Sequence, residues 1–221
     1  MQTEFSSPPD GAVIRDVQAK DIPAIKGVIG EVWDWAELAE DEKIFDATVG
    51  MYLNQVLYES AFGRVAVLND KVVGVIFGSV NAAEPKYRML MEDGTAHTLT
   101  LLGAPEDVRQ IVHEYFAKLS TVYEQLVSGI LDSYDGTLDF LVLSKDAQGL
   151  GIGKDLWMAL KSYFEDNGAK SVYLYSDTDC NFGFYERQGF TKRREREITF
   201  VFDDEAETVS QFLYEYHFDK Q

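Results

Sequence analysis

The stretch "TLDFLVLSKDAQGLGIGKDLW", residues 137–157, constrains this chain more than any other. Its first seven residues are almost continuously apolar and read as a strand in a sheet interior, since a half-exposed strand would alternate. Three glycines follow at alternate positions, Gly149, Gly151 and Gly153, and from Ile152 the apolar residues Leu156, Ala159, Leu160, Tyr163 and Phe164 recur at helical spacing. Strand, glycine loop and helix in that order can hold an anion. The first N–H groups of a helix have no intrahelical acceptor and sit at the positive end of its dipole, and glycine lets a phosphate approach the backbone. Two nucleotide signatures fail on spacing. A dinucleotide fingerprint GxGxxG needs glycine at 154 or 156, where Lys154 and Leu156 stand. A phosphate loop GxxxxGK[ST] finds Gly153 and Lys154, but Gln148 stands where its first glycine belongs and Asp155 where its metal-binding hydroxyl belongs.

Elements are predicted on both sides of this core. "AVIRDV" reads as a strand, and Asp21 with Pro23 starts a helix whose Ile22, Ile25, Val28, Ile29 and Val32 share a face. A second helix is expected from about Glu42 to Ser60, then "RVAVL" and "KVVGVIFGSV" as a hairpin turning at Asn69 and Asp70. From Asn81 to about Gly136 the character changes to a polar segment, "TLTLL", and an amphipathic helix from near Pro105. A connection of this length carries its own elements, so 81–136 reads as an insertion in a single domain spanning 1–221. After the glycine-loop helix, "DNG" places Gly168 at the C′ position, "SVYLYS" is a second interior strand, and "NFGFYERQGF" is a short helix closed by Gly189. "REITFVF" and "FLYEYHF" are the last strands.

Composition excludes several classes. A formal net charge of −18 repels nucleic acid, whose binding depends on basic patches, and favours cationic ligands or simple solubility. One cysteine, Cys180, permits no intrachain disulfide, and three scattered histidines offer no metal cluster. The N-terminus lacks the pattern of a signal peptide and no apolar run reaches membrane-spanning length, so a cytoplasmic protein is expected.

Two motifs carry a family resemblance. Gln148, two residues, Gly151, one residue and Gly153 match Q/R-x-x-G-x-G/A, and Asn181, Gly183, Phe184, Tyr185, Gly189 and Phe190 match a second motif, with Gly183 one residue early. On these residues and the element order, the chain resembles the GNAT superfamily of acyl-CoA-dependent N-acetyltransferases everywhere except 81–136. The resemblance implies an α+β fold of the three-layer α/β type. Its central sheet is mixed and mostly antiparallel with helices on both faces, and here a helical insertion is added. It implies acetyl-CoA as co-substrate, no metal, and a small-molecule amine or a peptide amino group as acceptor. It places the pyrophosphate of CoA on the loop of Gln148, Gly149, Leu150, Gly151, Ile152, Gly153 and Lys154, and the pantetheine arm against the backbone of Leu141, Val142 and Leu143. Asn181 and Phe184 would complete the cofactor site, although helix N-capping is an equally simple role for Asn181.

The chemistry then asks for a base and an acid. The amine must lose a proton, and the departing thiolate must gain one. By resemblance Tyr185 is the acid, against the alternative that it is one packed aromatic among Phe182, Phe184 and Phe190. Asp139 is the one ionisable side chain on its strand and is the expected base; it could instead hydrogen-bond a neighbouring strand or the acceptor. The glutamate that serves as base in many family members corresponds to Thr137. This departure motivates a second reading, a CoA-binding sensor or interaction module without efficient turnover. Cys180 has no histidine near it in sequence and is not expected to be a nucleophile. Trp33, Asp34 and Trp35, beside Glu31 and Glu37, form a candidate acceptor site by stacking and charge, and a buried helix end with an acidic rim is the other account. The long insertion helix could serve as a wall, a lid or a homodimer surface.

Overall fold

The computed structural model describes residues 11–33, 41–178, 180–202 and 205–218. Its contacts divide into two compact units, one of 1–103 with 138–167, the other of 104–137 with 168–221. The insertion expected at 81–136 is therefore shared between them.

In the first unit, strand β1 (Val13–Asp16) pairs antiparallel with β2 (Phe62–Leu68), which forms a hairpin with β3 (Lys71–Val80). The hairpin turns at Asn69 and Asp70, both at positive φ (51° and 60°), the turn chemistry that matches strand twist. Helices α1 (Ile22–Trp33) and α2 (Glu42–Glu59) bury Ile25, Ile29, Leu53 and Leu57 against Val65, Val75 and Phe77 of the sheet. Asp41 caps α2 by accepting from Lys43 N at 2.8 Å. The first part of the insertion forms a further helix, α3 (Gly94–Leu102), capped by Asp93 and packed on α2. His97 of α3 occupies the space that a Cβ at Gly50 would fill, since such a Cβ would stand 2.5 Å from its Nε2. His97 Nε2 meets Glu92 at 3.2 Å, and Glu92 also pairs with the buried Lys26 at 2.6 Å.

Strand β4 (Gly136–Leu143) begins in the second unit and continues in the first. Its burial alternates, with Leu138, Phe140 and Val142 buried and Asp139, Leu141 and Leu143 half-buried. The expectation of a strand apolar on both faces thus holds in composition, with the even-numbered side more deeply packed. Gly74 lets β4 lie close, because a Cβ there would come within 2.8 Å of Leu143 Cδ2. Helix α5 (Ile152–Asp166) follows the glycine loop and buries Leu156, Trp157, Leu160 and Phe164.

In the second unit, helix α4 (Glu106–Val127) lays Leu119, Val122, Tyr123 and Leu126 on a sheet of β5 (Ser171–Asp177), β6 (Thr191–Phe202) and β7 (Glu205–His217). This is the amphipathic helix expected from near Pro105. Strand β7 pairs antiparallel with β5 on one side and β6 on the other, with a bulge between Lys192 and Arg194. The start of β4 pairs parallel with β5 through Gly136 and Thr137. Helix α6 (Phe182–Arg187) packs Phe182 and Tyr185 against Phe212 and Tyr214. Strand order is β1-β2-β3-β4-β5-β7-β6, a mixed and mostly antiparallel sheet with helices on both faces.

Candidate functional site

The glycine loop is built by backbone conformation. A short 3₁₀ turn at Lys145–Ala147 leaves β4, and the chain then needs positive φ at Gly149 (78°) and Gly151 (85°) before α5 can begin. An L side chain at either position would be strained, although a Cβ there would meet nothing within 4 Å. Gly151 is the N-cap residue and supplies no side-chain acceptor, while its carbonyl already receives Asp155 N at 3.1 Å. The amides of Ile152, Gly153 and Lys154 are the first donors of a 15-residue helix and have no intrahelical acceptor, and the two glycines before them have open space where side chains would stand. Lys154 is exposed beside them. Asp155, half-buried in the same turn, has its carboxyl pushed above the ordinary range by burial, against the pull of Lys154. Among the described residues no group of His, Cys, Asp or Glu could hold a metal, and no helix is long and apolar enough to cross a membrane.

A link that the sequence does not announce holds this loop. Glu31 of α1 accepts Lys145 N at 2.7 Å, tying the helix to the start of the 3₁₀ turn across 114 residues. Glu31 is thereby engaged in loop geometry. Trp33, from the expected acceptor cluster, sits edge-on to Tyr52 at 4.5 Å and to Phe140 at 6.2 Å, on the rim of the first unit's core. Asp34, Trp35 and Glu37 lie outside the described residues.

Asp139 lies on the half-buried side of β4 with Leu141 and Leu143, as alternation predicts. It accepts from Ser60 Oγ at 2.9 Å, just past the end of α2, and from Ser79 Oγ of β3 at 3.2 and 3.3 Å. Ser60 Oγ also stands 2.7 Å from Val56 O. A hydroxyl has one proton for these two acceptors, so Ser60 serves both fully only when the carboxyl itself carries a proton. The arrangement gives Asp139 a fixed orientation and a neighbour able to accept from its protonated form. Tyr163 of α5 lies near enough for the Asp139 charge to act on it, and burial is the main cause pushing that phenol up.

In the second unit, Asn181 occupies the N-cap position of α6, yet its side chain makes no capping hydrogen bond. Tyr185 is half-buried, its ring 5.8 Å from that of Phe190 and 6.2 Å from that of Tyr214. Burial pushes the phenol well above its ordinary value, and the nearby Cys180 and Asp177 add to the shift. Tyr185 is thus packed among aromatic rings with its phenol protonated at neutral pH. Phe184 is half-buried against Tyr185 at 5.4 Å. Cys180 is an exposed free thiol whose backbone N–H donates to Asp177 Oδ1 at 2.8 Å.

A separate concavity of about 460 Å³ lies along the C-terminal half of α5, lined by Phe62, Arg64, Tyr87, Tyr163 and Asp166. Its Arg64 is committed to Asp16 and to the face of the Phe62 ring, 4.6 Å away, and the glycine loop has no part in it.

A family model described as the acetyltransferase (GNAT) family matches residues 29–190. The fold is similar to that of the ribosomal-protein-S18-alanine N-acetyltransferase of Escherichia coli, with 13% identity, 95% of this chain and 96% of that one covered, and a TM-score of 0.51. It is similar also to a PaiA N-acetyltransferase of Thermoplasma acidophilum in complex with coenzyme A (14% identity, 94% and 99% covered, TM-score 0.53). An N-acetyltransferase of Staphylococcus aureus Mu50 shares 11% identity at a TM-score of 0.53, with 94% and 99% covered. A comparison with curated protein sequences gives no match.

Proposed function

Because the chain belongs to the GNAT family of acetyltransferases, we propose that it is an N-acetyltransferase that moves an acetyl group from acetyl-CoA directly to an amine within a ternary complex. The observation that carries this reading is the left-handed turn at Gly149 and Gly151, with open space at both glycines, directly before the first amides of α5. In this reading the amides of Ile152, Gly153 and Lys154 take the diphosphate of CoA, and the backbone of Leu141, Val142 and Leu143 pairs with the pantetheine arm. The exposed Gln148 and Leu150 flank the turn, and Asn181 and Phe184 complete the binding residues.

At pH 7 a primary amine is neutral in roughly one molecule in a few thousand, so the acceptor must give up a proton to attack the thioester carbon. Asp139 is the base in this proposal, with Ser60 and Ser79 orienting its oxygens. As the new C–N bond forms and the C–S bond breaks, Asp139 takes the amine's proton and the sulfur leaves with the bonding pair as a thiolate, to which Tyr185, as the acid, donates a hydrogen bond. Its raised pKa keeps the phenolic proton in place at neutral pH. The acceptor is a small-molecule amine or a peptide amino group, the whole chain acts as one catalytic domain, and no metal takes part. A reducing compartment such as the cytoplasm suits the exposed thiol of Cys180.

The test is to incubate the pure protein with acetyl-CoA and a panel of amines, following thiol release and product mass. Thiol release that depends on one amine supports the proposal. Tight CoA binding without turnover across the panel refutes the transferase and leaves a CoA-binding sensor, the reading that Thr137 at the family's glutamate position favours. Binding of ATP or NAD without CoA would overturn the reading of the loop itself.

A further inference from the structure

Helix α3 is folded inside out. It buries one side chain fully, His97, while Leu99 and Leu102, one turn apart and so on one face, stand 64% and 63% exposed. A helix docked by an apolar stripe would do the reverse. Polar groups hold it instead. His97 Nε2 lies 3.2 Å from Glu92 Oε2, and the buried Lys26 pairs with the same oxygen at 2.6 Å. Asn54 of α2 accepts from Glu92 N at 2.9 Å and donates to Glu92 O at 3.0 Å, and Asp93 caps the first turn. The two leucines are thus presented outward on an element that its own chain fixes in place. Of the ten exposed large hydrophobic side chains among the described residues, six, Met51, Tyr58, Met89, Met91, Leu99 and Leu102, fall on α2, on α3 or in the segment just before α3. Exposed apolar groups scattered singly need no explanation, whereas a concentration of this kind marks an interaction surface.

The charge pattern says what covers it. Among the described residues α3 is the one helix without an Asp, Glu, Lys or Arg, on a chain whose net charge is −18. A cationic partner is drawn to the acidic surface and not to this one, and the anionic headgroups of a membrane repel the whole chain. Two copies of the chain repel each other as well, except across a face that carries no charge. An antiparallel two-fold pairing of α3, centred between Leu99 and Leu102, sets Leu99 against the partner's Leu102 and Leu102 against the partner's Leu99. The exposed Asp93 at the N-cap then lies about 11 Å along the helix from the centre, so the two such carboxylates stand roughly 22 Å apart, well beyond the ~8 Å screening length of physiological salt. The other helix of the insertion, α4, lays its apolar side on the sheet of the second unit.

We infer that the exposed face of α3 is a homodimer interface, with Leu99 and Leu102 at its centre. The occupant of the face is a second copy of this chain, paired antiparallel along α3. The inference is independent of the transferase reading, because association is measured without turnover. It gives the first part of the insertion a role that its own packing leaves unexplained, a helix that buries a histidine and exposes its leucines.

Sedimentation velocity of the full chain across a micromolar concentration series should show a monomer–dimer equilibrium. Added NaCl should tighten it, because salt screens the repulsion between two chains of net charge −18. Leu99→Gln combined with Leu102→Gln removes two leucines from each side of the interface and should raise the dimer Kd by at least about 100-fold. Its far-UV circular dichroism should match the wild type, since both side chains are exposed in the single chain. Leu99→Lys and Leu102→Glu should each be monomeric alone, and mixing them should restore a dimer in which the introduced ammonium and carboxylate oppose each other. This mixing experiment decides the matter even where the double glutamine variant fails to fold. A wild-type chain that stays monomeric throughout, a dimer that salt loosens or that survives the double replacement, or charge variants that stay apart on mixing would overturn the inference. So would wild-type monomers that float with phosphatidylcholine vesicles while the double variant does not, which assigns the face to lipid.

Discussion

Replacing Gly151 by alanine separates the strain of a left-handed residue from the loss of an anion cradle. Gly151 has φ of 85° and open space where a Cβ would go, so the substitution introduces no clash and its intrinsic cost is the conformation alone, about 1–2 kcal/mol. Gly168, just past the C-terminal end of α5, has φ of 72° and the same open surroundings. Gly168→Ala therefore serves as a matched control. For a chain of this size about 1 kcal/mol moves Tm by roughly 2–4 °C, and both variants should melt about 2–8 °C below the wild type. Only Gly151→Ala should alter CoA binding. A turn that relieves the strain re-aims the amides of Ile152 and Gly153, and losing one charge-assisted hydrogen bond costs about 1.5–3 kcal/mol, or roughly 10- to 100-fold in Kd. Isothermal titration with CoA measures the affinities, and thermal unfolding measures the shared strain. If the two variants bind CoA equally well, the amides opening α5 do not hold the diphosphate and the argument for the site fails.

Other expectations follow from the same coordinates. Tyr185→Phe keeps the ring packed against Phe190 and Tyr214 and should lower kcat by about 10²-fold or more while CoA affinity stays the same; unchanged turnover removes Tyr185 as the acid. Asp139→Asn retains an acceptor for one serine but no basic carboxylate, so kcat should fall by about 10²–10⁴-fold and the acidic limb of the pH–rate profile should vanish. A profile that keeps that limb assigns the base elsewhere. Burial holds the phenols of Tyr134, Tyr175 and Tyr185 above their ordinary value, so between pH about 10 and the raised values the folded chain binds more protons than the unfolded one. Stability should be complete below pH about 10 and fall as pH climbs further; urea midpoints that hold level from pH 8 to 11 would contradict those shifts.

Much of the first unit and of the loop is legible in the chain itself because its signals are local. Asn69 and Asp70 both accept positive φ and turn the β2–β3 hairpin. Gly149, Gly151, Gly168 and Gly189 all take left-handed conformations that few other residues tolerate, so their places in loop and caps can be read without coordinates. Helix α3 escapes such reading. Its "HTLTLL" run has weak helical preference, and what accompanies its folding is the Asp93 cap and the seating of His97 over Gly50, a contact 47 positions away in the chain.

Sequence by itself determined the fold family, the left-handed glycine turn before α5 and the places of Tyr185 and Asn181 on α6 and its N-cap, because each depends on a backbone conformation or a short motif within about ten residues. Tertiary structure alone decided which polar groups meet. Glu31 accepts Lys145 N, Asp139 is held by Ser60 and Ser79, and Gln211, whose Oε1 has no partner, stands opposite Asp177. Each of these depends on how distant segments register, and strand register is set by burial of whole faces, which no local run of residues encodes.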